Sequence, residues 1–104
     1  MIYIRVHASD NGPVVAMCDS GLVGKVLHDG ETTLDLKIYS TFYVGRLVDK
    51  AEALEILEST AKIYSANIVG EEAVGIALDA GIIDRGNVLH IGNVPYAHAY
   101  RIIS

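Results

Sequence analysis

Ile2, Ile4 and Val6 alternate with Tyr3, Arg5 and His7, the two-residue period of a half-buried strand. Turn residues Ser9-Asp10-Asn11-Gly12 separate it from residues 13–18, an unbroken apolar run that predicts a strand buried on both faces. The two runs read as a hairpin. Residues 19–27 fit either a short helical turn or a loop with two glycines, and His28-Asp29-Gly30-Glu31 is a further turn. Leu34, Leu36 and Ile38 then alternate with Asp35, Lys37 and Tyr39 and predict a third strand. Residues 41–48, apolar and aromatic, are expected to be extended with a bend at Gly45.

The period then changes. Asp49 followed by Glu52 makes a start resembling a capping box, and Leu54, Leu57, Ala61 and Tyr64 fall along one stripe of a helix, with Ala53, Ile56 and Ile63 beside it. Residues 65–83 read as a second helix with both ends marked. Asn67 or Gly70 can cap it, Glu71 and Glu72 meet the positive end of its dipole, and Gly81 stands where a left-handed terminal residue is wanted. Its small residues, Ala73, Gly75, Ala77 and Ala80, permit close packing. Asp84-Arg85-Gly86-Asn87 turns the chain into a strand over residues 88–91, and Gly92-Asn93 leads to a closing strand over residues 94–102 with Pro95 at its start or on an edge. Strands, two helices, then strands predict an α+β fold: a mostly antiparallel sheet with two helices on one face.

With 104 residues, about half of them hydrophobic (51%), the chain is expected to form a single domain around one core. No apolar run approaches the roughly 18 residues of a membrane span. The first residues read as a strand and lack the features of a signal peptide, so a cytoplasmic protein without membrane partners is expected. Cys18 is the one cysteine, which excludes an internal disulfide. The net charge of −5 argues against general affinity for nucleic acid, but it is unevenly placed. Residues 49–84 carry eight acids against Lys50 and Lys62, whereas the remainder carries five acids, six bases and all four histidines.

Few side chains carry readable chemistry. Gly21-Leu22-Val23-Gly24-Lys25 departs from a phosphate loop, with Asp19 at the first glycine position and Val26 where a hydroxyl should hold the metal. Histidines 7, 28, 90 and 98 and Cys18 lack metal-ligand spacing, so neither metal nor cofactor is expected, and no catalytic residue is assigned. The strand faces are more informative. Tyr3, Arg5 and His7 share one face of the first strand, and Tyr96, His98 and Tyr100 one face of the last. Were these faces contiguous, they would offer the rings and cations with which sheet-surface proteins stack bases and touch phosphate. Lys25 and Arg46 could add phosphate contacts. Asp19, Lys25, Asn67 and His98 could instead form the polar groups of a small enzyme acting on a phosphorylated or nucleotide-like metabolite. Phe42-Tyr43-Val44 or an unpaired strand edge could make a homodimer.

Three stretches resemble a family of small archaeal proteins, the domain of unknown function 424. These are Val15-Ala16-Met17-Cys18-Asp19 with Leu22-Val23-Gly24-Lys25; Phe42-Tyr43-Val44-Gly45 before an acidic helix; and Ala66-Asn67-Ile68-Val69-Gly70-Glu71-Glu72-Ala73-Val74 answered by Ile91-Gly92-Asn93-Val94-Pro95-Tyr96-Ala97-His98. The family's closing motif reads Val-Pro-His-Ala. Here Tyr96 takes the histidine position and His98 follows two residues later. The resemblance implies an archaeal, cytoplasmic protein and no assigned reaction. The reading adopted is a non-enzymatic binding module in translation or RNA metabolism, with the homodimer and the small enzyme as alternatives.

Overall fold

The computed structural model describes residues 1–100. Eight strands, β1 (Ile2–His7), β2 (Val14–Asp19), β3 (Val26–Asp29), β4 (Thr32–Asp35), β5 (Arg46–Val48), β6 (Ser65–Val69), β7 (Val88–Ile91) and β8 (Val94–Tyr100), accompany three helices, α1 (Ser40–Tyr43), α2 (Lys50–Ser59) and α3 (Glu71–Ala80). Six strands form one sheet in the order β5-β1-β2-β6-β8-β7, and β3 and β4 form a separate ribbon. Every neighbouring pair is antiparallel except β2 and β6. The α+β architecture and its mostly antiparallel sheet are those expected. No helix among the described residues is long and apolar enough to cross a membrane.

Alternation divides the sheet's side chains between two cores. Ile2, Ile4, Val15, Met17, Ala66, Ile68, Ala97 and Ala99 point to one face, where α2 contributes Ala53 and Leu57 and α3 contributes Ala73, Val74, Ile76 and Ala77. On the opposite face Ala16, Cys18 and Val69 lie beneath Leu36 and Tyr43, with Leu27, Leu34 and Phe42 packed alongside. The ribbon and α1 thus cover part of the second face. Asp29 Oδ2 accepts from Gly92 N at 2.9 Å and ties the ribbon turn to the turn between β7 and β8.

Five elements differ from expectation. Residues 26–29, read as the end of a loop and the start of a turn, form β3, paired with β4. The expected third strand ends at Asp35, because its Oδ1 accepts from the backbone N–H groups of Lys37 (3.0 Å) and Ile38 (2.9 Å) and curls the chain into a turn. Ile38, expected on a strand, is left 72% exposed. Residues 41–48 are not continuously extended: α1 occupies their first part and β5 their last. Helix α2 starts as read, with Asp49 Oδ1 accepting from Glu52 N at 2.9 Å, but ends at Ser59, so Ala61 and Tyr64 lie beyond its stripe.

The largest revision concerns residues 65–69. They are not helical; they form β6, a strand in the interior of the sheet flanked by β2 and β8. With four of its five residues buried, the strand shows no amphipathic period that would mark it. The helix that follows is capped by Gly70 and closed by Gly81 in the left-handed conformation (φ 74°). Of the closing strand, Arg101 and Ile102 lie outside the described residues.

Gly70 cannot be replaced cheaply. Its φ is +110°, and a Cβ there would lie 2.2 Å from Asp19 Cγ. Gly70→Ala is expected to lower stability by about 2 kcal/mol or more in chemical denaturation. Gly75→Ala is the control: a Cβ there meets nothing within 4 Å. It is expected to leave stability unchanged or raise it by up to about 1 kcal/mol.

Candidate functional site

Register decides which side chains become neighbours. Arg5 faces Ala16, Ala16 faces Asn67, and Asn67 faces His98, so these four positions form one row across β1, β2, β6 and β8. A second row runs Leu47, Tyr3, Cys18, Val69, Tyr96 and Leu89, and a third runs His7, Val14, Ser65 and Tyr100. Both aromatic trios therefore share the face opposite α2 and α3, as their alternation requires. They are not contiguous. Strands β2 and β6 separate them, and Ala16 and Cys18, fully buried under α1 and the ribbon, lie between.

The β1 trio is largely engaged within the fold. His7 stacks on Phe42 with ring centroids 4.6 Å apart, and its Nε2 donates to the Phe42 carbonyl at 2.8 Å. Arg5 Nη1 donates to the Thr41 carbonyl at 2.7 Å, and Tyr3 is half-buried. These contacts hold α1 onto the sheet; the one-turn helix that receives them has no strong sequence signal. Of the Phe42-Tyr43-Val44 segment, Phe42 and Tyr43 face inward, Tyr43 only 5% exposed, and Val44 alone is exposed.

Of the β8 trio, His98 and Tyr100 remain open, while Tyr96 packs against the core beneath the ribbon. Tyr100 is 70% exposed, His98 is exposed, and Tyr96 is half-buried with its ring meeting that of His98 edge to face at 5.9 Å. Asn67 joins them from β6, its Oδ1 in hydrogen-bond contact with His98 Nδ1. Asn67 thus belongs to the site, but from a strand and not from a helix cap. Leu89, 54% exposed, extends the patch beside Tyr96.

The other predicted residues go elsewhere. Asp19, at the end of β2, turns its carboxylate to the start of α3, where Oδ2 accepts from Glu72 N at 3.1 Å and Oδ1 from Ala73 N at 2.7 Å. It is the helix cap, supplied from a distant strand, and it fills with protein the place a bound anion would take. Burial pushes its carboxyl above the usual carboxylate range, and the Ala73 and Glu72 N–H groups oppose that shift. Arg46 pairs with Glu52 at 3.3 Å on the helix side of edge strand β5. Lys25 is exposed just before β3. The polar set of Asp19, Lys25, Asn67 and His98 therefore does not converge: Asn67 and His98 meet, while Asp19 is committed to α3. A broad, shallow concavity along α3 is lined by four acids, Glu71, Glu72, Asp79 and Asp84, against Arg85 and Lys50, the latter held 2.6 Å from Asp79. Its charge suits no anionic ligand. Among the described residues, no three His, Cys, Asp or Glu side chains gather to hold a metal ion.

Cys18 is fully buried, and burial, reinforced by the Asp19 charge, pushes its thiol up to about 12 from 9.0. The thiol is inert in the fold. Because the folded value lies above the unfolded one, the stability from the buried neutral thiol is complete below pH 9.0 and is lost as pH rises towards about 12. The stability difference between wild type and Cys18→Ala is expected to shrink across that window, and the thiol is expected to resist thiol reagents at neutral pH until the protein unfolds. Asp19→Ala is expected to cost about 1–2 kcal/mol in thermal or chemical unfolding, as for other lost helix caps.

Comparison with known proteins comes down to a family and a fold. Residues 6–102 match the model of the family described as "Protein of unknown function (DUF424)", and the chain belongs to that family. No curated protein matches it. The fold is similar to that of an uncharacterized conserved protein from Methanopyrus kandleri, known from a crystal structure, with a TM-score of 0.81 and 24% sequence identity over 99% of this chain and 93% of the other.

Proposed function

We propose that this DUF424 protein is a non-enzymatic binding module for unpaired RNA, acting in translation or RNA metabolism through the open half of the sheet face. The observation that carries the reading is the adjacency of Tyr96, His98 and Tyr100 on β8 with Asn67 on β6: His98 and Tyr100 are exposed, and Tyr96 and Asn67 are half-buried beside them. A flat sheet with exposed rings and a few polar groups suits splayed bases, which stack on the rings and offer their edges to side chains. Among the described residues, β6, β7 and β8 carry no arginine or lysine, and the chain is acidic overall. Stacking must therefore supply most of the affinity, and phosphate contact little.

That balance has a measurable consequence. A short unstructured RNA oligonucleotide with a fluorescent label is expected to bind with a log–log salt slope no steeper than about −1.4, the value for two phosphates on a single strand. Tyr100→Ala combined with His98→Ala is expected to weaken binding about tenfold or more, since each stacked base contributes roughly 1–3 kcal/mol. Arg5→Ala is expected to have little effect, because its guanidinium is already engaged with Thr41. Absence of binding by the wild-type protein at low salt, or equal binding by the double variant, would overturn the reading.

A further inference from the structure

The contact between Asn67 and His98 has a direction. The amide is placed with Oδ1 towards the ring, and an amide oxygen has no hydrogen to give, so in this orientation of Asn67 the facing ring nitrogen carries one. In a neutral imidazole only one nitrogen is protonated. With the proton on Nδ1, Nε2 keeps its lone pair. The pair of residues stands opposite one another in the β6–β8 register, so the backbone ladder holds the amide against the ring. The Tyr96 ring meets the His98 ring edge to face and restricts its rotation further. His98 is itself exposed, and its one hydrogen-bond contact among the described residues is through Nδ1.

We infer that Asn67 is a positioning residue that locks His98 as the Nδ1–H tautomer and turns Nε2 into an outward hydrogen-bond acceptor, so that the face selects ligands bearing a donor there. Within the RNA-binding reading, on which the ligand class rests, the donor that separates RNA from DNA is the ribose 2′-hydroxyl. Unconstrained histidine favours the opposite tautomer, with the proton on Nε2, which would present a donor and remove that selectivity. The surface thus combines two parts: Tyr100 as a sequence-tolerant stacking platform, and Asn67–His98 as a polar reader beside it.

Two measurements separate this inference from the reading it deepens. The first uses the free protein with its imidazole neutral: nitrogen chemical shifts and long-range proton–nitrogen couplings of the His98 ring. The wild type is expected as Nδ1–H. Asn67→Ala is expected to shift the ring towards Nε2–H, and Asn67→Asp, whose carboxylate still accepts from Nδ1–H, to retain the wild-type tautomer. A wild-type ring protonated on Nε2 overturns the inference whatever the protein binds. The second compares labelled single-stranded RNA and DNA of one sequence. The wild type is expected to prefer RNA by about fivefold, the worth of one neutral hydrogen bond. Asn67→Ala should lose that preference while keeping the binding common to both strands, and Asn67→Asp should report any general damage from substitution at this position. Equal wild-type affinities overturn the ribose assignment. Binding to neither strand sinks the RNA reading, and the nitrogen shifts then decide the role of Asn67 alone.

Discussion

The junction of β2, β6 and α3 rests on one carboxylate. Asp19 leaves the end of β2 and caps α3 with two backbone hydrogen bonds, and Gly70, in a backbone conformation that side chains rarely adopt, gives it room. The Gly70 N–H meanwhile donates to the Pro95 carbonyl at 2.8 Å, which ties the same junction to the start of β8. The parallel pair β2–β6 joins strands distant in sequence, and no short turn sets its register. The Asp19 cap and the Gly70–Pro95 bond supply that constraint from the strand ends. With β6 held between β2 and β8, Asn67 falls opposite His98. The open polar face is thus a consequence of how the helix is anchored on the other side of the sheet.

Contacts with α1 assign different fates to similar residues. Tyr3, Arg5 and His7 carry as much binding chemistry as Tyr96, His98 and Tyr100, yet α1 and its two carbonyls engage Arg5 and His7 and leave Tyr3 half-buried. Cys18 and Tyr43 lie in the small core between sheet and ribbon, where burial pushes both to about 12 and keeps them neutral. The β6–β8 corner keeps Asn67, His98 and Tyr100 outside that core. Its affinity for an anionic polymer has to come from rings and hydrogen bonds, because the acidic helices on the far face offer no attraction.

Much of this was legible in the chain itself. Alternation at Ile2, Ile4 and Val6 marks β1, the Asp49–Glu52 pair marks the start of α2, and Gly81 marks the end of α3, because each signal is local. Residues 65–69 misled for a physical reason. Ser65-Ala66-Asn67-Ile68-Val69 is buried on nearly every side chain, so it has no amphipathic period, and the strong helix signals just after it pull the boundary forward. Asp35 ends β4 through a side-chain bond that competes with strand geometry, which hydrophobic pattern alone does not register. Asp19 looked like a ligand group because its partner lies more than fifty residues away, at the start of a helix whose position only the fold supplies.

The most direct test is to map amide chemical-shift changes as unstructured single-stranded RNA is titrated into isotope-labelled protein at low salt. The account predicts changes concentrated at Asn67, Tyr96, His98 and Tyr100, fading towards β1 and absent from the exposed surface of α3. Changes centred on α3, on the β5 edge or on the ribbon tip, or no changes at all, would contradict it.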